Sequence, residues 1–154
     1  MGVNMRRIAS IVTMGLCIAV LLGLAGCGGG GDGGGGVIII NSTPSIFNLQ
    51  YSPTSATLNQ GGGSITINGT YDFIDNGADL AGGSVTVKAF DLNNIQTINT
   101  NTPITANVAG LTSGTLSGPA TADTTVAGTF NFILFITDSN GNKSNELTGT
   151  FTVR

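Results

Sequence analysis

Histidine and tryptophan are absent from the 154 residues, and cysteine occurs only twice, at Cys17 and Cys27. Without His, no Ser-His-Asp or Cys-His relay can be assembled, and a zinc site resting on imidazole is excluded. Charge is also scarce. Five Lys and Arg face eight Asp and Glu, together 8% of the chain. So small a basic complement offers no positive face to a phosphate backbone, which excludes nucleic acid as a partner. Helical spacing of apolar residues is missing beyond the first quarter of the chain, where alternation takes over.

What is present begins with an export signal. Arg6 and Arg7 precede Ile8 to Leu24, an apolar run of 17 residues broken only by Ser10, Thr13, Gly15 and Gly23. Small residues Ala25 and Gly26 close it. That length lies at the lower edge of what spans a bilayer, so an uncleaved transmembrane helix is the rival reading. The ending decides against it. Leu24-Ala25-Gly26-Cys27 resembles the lipobox of bacterial lipoproteins. The resemblance implies a diacylglyceryl thioether on Cys27, cleavage after Gly26, and in many bacteria acylation of the new amine. It places the chain in the bacterial cell envelope with the membrane as partner. Gly28 stands where an inner-membrane retention signal carries Asp, which implies the outer membrane. Each buried methylene contributes about 0.8 kcal/mol and one chain holds marginally, so two or three acyl chains make attachment permanent.

The expected organisation is a signal peptide over 1–26, a lipidated Cys and tether over 27–43, and one domain over 44–154. After cleavage Lys88, Lys143 and Arg154 stand against the eight acids, a net charge of −5. Cys27 is then the sole cysteine and is consumed by lipid, so the fold rests on its core without a disulfide. Gly28 to Gly36 is eight glycines around Asp32, a flexible tether. A phosphate-cradling glycine loop would need a helix after it, and none is signalled. Val37 to Ile40 reads as an extra edge strand, with an apolar patch near the membrane as the other reading.

Alternation then predicts strands over Ser45–Tyr51, Ser64–Phe73, Ser84–Asp91, Ile95–Asn99, Pro103–Val108, Leu111–Leu116, Thr129–Thr137 and Glu146–Val153. In the first, Phe47, Leu49 and Tyr51 share one face and Ile46, Asn48 and Gln50 the other. Ile65, Ile67, Tyr71 and Phe73 point inward, as do Val85, Val87 and Ala89, and then Phe130, Phe132, Leu134 and Ile136. Short strands without helices mean a sandwich or barrel. Thr129 to Val153, turning through Asp138-Ser139-Asn140-Gly141-Asn142, resembles the last hairpin of bacterial immunoglobulin-like domains. Ser45-Ile46-Phe47-Asn48-Leu49 with Tyr51-Ser52-Pro53 is similar to their opening strand. The resemblance implies an all-β, immunoglobulin-like β-sandwich of about seven strands. A pattern of strands says almost nothing about function.

One constellation carries potential chemistry. In such a topology the loop holding Asp72, Asp75 and Asp79 meets the turn holding Asp138, Asn140 and Asn142. Six side-chain oxygens could converge there, and calcium takes six to eight. The competing reading is that these residues cap tight turns, with Gly77 and Gly141 supplying positive φ. Ile133 and Phe135 fall on the outward face of their strand, either under a neighbouring loop or as a partner surface. No two acids are placed in an apolar cleft, so the protein is not expected to be an enzyme, a two-carboxylate hydrolase included. The expected function is a non-catalytic structural or interaction module of the envelope, meeting a protein or glycan. The alternative is a calcium-dependent glycan-binding or adhesion domain.

Overall fold

The computed structural model describes residues 42–154. The signal run, Gly26, Cys27, the glycine tether and Val37 to Ile40 lie outside the described residues.

The described chain is all-β apart from one 3-10 turn at Ala106–Val108. Its strands are β1 (Ser45–Ser52), β2 (Ser55–Ala56), β3 (Ser64–Ile74), β4 (Ser84–Phe90), β5 (Gln96–Pro103), β6 (Ser113–Asp123), β7 (Gly128–Thr137) and β8 (Leu147–Val153). They form two sheets in a sandwich. One has the order β1-β3-β6, the other β2-β8-β7-β4-β5. All pairings are antiparallel except that of β2 with β8.

Five expected strands match closely, and the departures have physical causes. Asn48 adopts φ 56° and the register with β3 shifts between Phe47 and Gln50. This bulge rotates the later half of β1 by one residue. Ile46 is therefore buried and Phe47 exposed, while Leu49 and Tyr51 turn inward, against the faces that simple alternation assigns. Ile95–Asn99 and Pro103–Val108 are not two strands. β5 spans Gln96–Pro103 and the rest becomes the 3-10 turn. β6 runs to Asp123, seven residues beyond the expected Leu116. Its Gly118-Pro119-Ala120 stretch lacks a readable alternation, and Pro119 is tolerated because β6 is an edge strand. β2 is two residues long, too short to signal itself.

The interior is packed in two separate clusters. Ile46, Tyr71, Phe73, Leu80, Leu116 and Ile136 anchor the larger one. Ala122, Phe151 and Val153 anchor the smaller, with Ile65, Ile67 and Phe130 against them. The pairings Phe73 to Gly114 and Ile65 to Ala122 put these clusters toward opposite ends of β3 and β6. Both clusters and both sheets are built within residues 45–154, so this stretch has a hydrophobic core of its own.

Side chains join the sheets along the β1–β8 side. Asn145, just before β8, acts as a strand partner for β1. Its Oδ1 accepts from Ile46 N at 2.8 Å, and its Nδ2 donates to Ile46 O at 2.8 Å. Further along, the Tyr51 hydroxyl donates to Thr150 O at 2.9 Å and accepts from Thr150 N at 3.0 Å. The Tyr51 ring meets Phe132 edge-on at 5.0 Å, a geometry worth about 0.5–1.5 kcal/mol beyond burial. Gly149 lies opposite Phe132 in the ladder, and the ring occupies the space a side chain would need.

A Cβ at position 149 would fall 2.4 Å from Phe132 Cζ and 2.9 Å from the Tyr51 hydroxyl oxygen. Gly149→Ala is therefore expected to destabilise the domain by about 1–3 kcal/mol in urea unfolding, as overpacking does. Thr148→Ala, next door on the exposed face, should stay within about 0.5 kcal/mol of the parent.

Candidate functional site

Two regions of the domain bear on function: the acidic loops at one end and the space between the sheets. The acidic loops converge as the topology suggests, but most of their oxygens serve the loops themselves. Asp75 is fully buried. Its carboxylate accepts from Gly77 N at 3.2 Å and Asp79 N at 3.0 Å, with Ser42 Oγ at 3.4 Å. Asp138 is likewise buried and accepts from Asn140 N at 3.0 Å, Asn142 N at 2.8 Å and Asn142 Nδ2 at 2.8 Å. These are turn-closing bonds, in which a carboxylate replaces a backbone carbonyl. The two loops are tied to each other through Asp79, whose carboxylate accepts from Asn140 Nδ2 and whose carbonyl accepts from Ser139 N at 3.1 Å. Positive φ falls on Gly141 at 89° and on Ala78 at 53°, not on Gly77.

Asp72 is not brought into this group. It accepts from Thr115 Oγ1 at 2.6 Å and Asn48 Nδ2 at 2.8 Å, between strands β1, β3 and β6. Those bonds hold its carboxyl below the usual carboxylate range. Among the described residues no group of three or more acidic, His or Cys side chains is arranged to hold a metal ion.

Asp79 is the strained member. Its Oδ1 is buried and meets no donor. Burial first, then the negative charges of Asp138 and Asp75, push its carboxyl above the ordinary value, and a hydrogen bond with Asp75 adds to the rise.

On the outer face, Ile133 and Phe135 are half-buried by lysine side chains. Lys143 Nζ lies 4.0 Å and Lys88 Nζ 5.7 Å from the Phe135 ring centroid. Lys88 is also the cross-strand partner of Ile133. The apolar stems of long cationic side chains shield such residues while their heads remain in water. Lys143 is held further by Glu146 at 2.6 Å.

Between the sheets, the two core clusters leave a hollow of about 530 Å³. Its cause lies in β3 and β6. Gly69 and Gly118 are directly paired, and Ala120 follows on the same face. All three line the space, so the middle of this sheet presents almost no side-chain volume. Val87 and Ala89 of β4 face it, and Ile98 and Thr100 of β5 continue the wall. Tyr71, Leu134 and Phe151 bound it where the packed clusters begin. A glycine inside a strand often marks close approach by a backbone or ligand, and Gly69 and Gly118 are that signal in the sequence. The alternation Ile65, Ile67, Tyr71, Phe73 passes over Gly69, so apolar counting alone overlooks it.

The Asp79 environment sets a pH dependence. Between the ordinary aspartate value and its raised folded value, the folded chain keeps a proton that the unfolded chain has released. Stability therefore falls as pH rises through that window. Asp79→Asn supplies a permanent donor in place of the proton. It is expected to raise the melting temperature at pH 7 by a few degrees and to flatten the loss of stability as pH rises above the ordinary aspartate range, read by thermal unfolding across pH.

No family model and no curated protein matches the chain. Among solved structures, the chain is similar to a Niemann-Pick type C2 protein from Japanese carpenter ant. The TM-score is 0.39 and the identity 9%, over 73% of this chain and 94% of that one.

Proposed function

We propose that this protein is a cell-envelope lipoprotein, held at the outer membrane through lipidated Cys27, whose domain is a non-catalytic binding module of immunoglobulin-like type. The sheet order supports the domain type. In immunoglobulin-like sandwiches the first, second, fourth and fifth strands face a sheet of the third, sixth and seventh, and this domain differs in that its fourth long strand, β5, joins the second sheet. Here β1-β3-β6 faces β8-β7-β4, with β5 extending the second sheet beyond β4 as an added edge strand does in variable-type domains.

The observation that carries the binding function is the hollow between the sheets. Native interiors are close-packed, and a void of this size costs stability. A volume of 530 Å³ falls within the roughly 300–1,000 Å³ typical of small-molecule sites. Apolar walls with a few hydroxyls suit binding and supply no acid–base pair. The carboxylates that could do chemistry are engaged instead in closing turns at the end of the domain.

Two experiments test the reading. Cells given radiolabelled palmitate should incorporate it into the full chain, and Cys27→Ala should abolish both the label and the size shift of signal cleavage. Label on the Cys27→Ala chain would contradict the anchor. Residues 28–154, titrated with the neutral fluorophore N-phenyl-1-naphthylamine, should show one saturable site. Ala120→Leu, which fills the hollow, should remove that site without lowering the melting temperature. Equal binding by the filled variant would contradict the module.

A further inference from the structure

We infer that the hollow between the sheets takes an uncharged apolar molecule with one hydrogen-bond acceptor, bound by the Tyr71 hydroxyl. The inference rests on the binding-module reading and adds the chemistry of the ligand.

Charge is the first argument. The ionisable side chains of the wall are Asp91 and Asp123 together with the phenols of Tyr51 and Tyr71, and no Lys or Arg lines it. A fatty-acid carboxylate or a phosphate entering here would lose its water, gain no cation and face two carboxylates, each of which costs free energy. An uncharged molecule of the same apolar bulk meets none of these penalties.

Tyr71 is the second. It is 5% exposed and stands in the wall of the hollow. Burial alone pushes its hydroxyl well above the usual phenol range, with no hydrogen bond contributing. No hydrogen bond among the described residues engages this hydroxyl, so a ligand acceptor placed beside it would be its partner. The other wall phenol, Tyr51, is already bonded twice to Thr150, so it is not the free handle.

The mouth is the third. Leu92 and Val126 are 73% and 62% exposed, yet both also line the hollow. They sit on the β4–β5 and β6–β7 loops, at the end of the sandwich away from the start of β1. Their loops are shaped by the two wall acids. Asp91 Oδ1 accepts from Asn93 N at 2.9 Å and Ile95 N at 2.8 Å, and Asp123 Oδ1 accepts from Thr125 N at 2.7 Å. Exposed apolar residues continuous with an apolar interior form a greasy lip, over which an apolar molecule passes without first meeting a polar rim.

The test uses residues 28–154 loaded with N-phenyl-1-naphthylamine at pH 7. 1-Hexadecanol and palmitate, matched in chain length, are the competitors. Hexadecanol should displace the probe at about tenfold lower concentration than palmitate, or better. Tyr71→Phe should weaken hexadecanol several-fold relative to the probe, with the melting temperature unchanged or higher, which a merely structural tyrosine would not do. Equal displacement by palmitate, with the probe bound, overturns the charge argument while the module reading stands. An unaltered hexadecanol affinity in Tyr71→Phe overturns the role of the hydroxyl. Absence of any saturable probe site overturns the inference and the module reading together.

Discussion

Along the β1–β8 side the separation of the two sheets is set by Asn145 gripping both polar groups of Ile46 and by the Tyr51 hydroxyl gripping both of Thr150. Each grip joins the first strand to the last across nearly the whole length of the domain. Together they hold β1 against β8 at a distance that the side chains of β3 and β6 must then fill. At the two ends they do, with Phe73 and Leu116 in one cluster and Ile65 and Ala122 in the other. In the middle Gly69, Gly118 and Ala120 do not. The hollow is thus a consequence of a fixed spacing meeting undersized residues. Collapse onto it would require the Tyr51 and Asn145 bonds to break, each worth roughly 0.5–1.5 kcal/mol net.

The same economy governs the acidic end. Few charges are available, and Asp75 and Asp138 are used to close turns from inside, where a carboxylate can accept several N–H groups at once. The cost is concentrated on Asp79, which must sit beside both of them to join the loops. A proton relieves that cost. The loops therefore read as a structural clasp, distant from the mouth formed by Leu92 and Val126.

Much of the fold was legible in the sequence because alternation is strong where side chains are large. β3, β4, β7 and β8 are bounded by turn residues and carry Ile, Val or Phe on one face, and all four fall within one residue of their expected limits. The meeting of the Asp75 and Asp138 loops was equally legible, since the immunoglobulin-like topology that the strand pattern resembles brings those two loops to one end. What escaped was small or irregular. The bulge at Asn48 rotates β1 by one position, and nothing in apolar counting reports a left-handed residue. The end of β6 hides because Gly118, Pro119 and Ala120 have no hydrophobic signal. That silence also concealed the hollow: an inward glycine looks like a gap in a pattern until its cross-strand partner is known to be another glycine. The lysines over Phe135 come from β4 and from the turn before β8, a proximity visible only in three dimensions.

The sandwich is hollow and apolar between Gly69, Gly118 and Val87. Diffraction from crystals of residues 28–154 under xenon pressure addresses it directly, because a dry apolar cavity of sufficient size takes up xenon. Xenon density is expected between the two sheets, centred beside Ala120 and Val87, with little movement of Tyr51 or Asn145. A space closed by sheet collapse, or filled by a hydrogen-bonded chain of ordered waters that xenon does not displace, would contradict it.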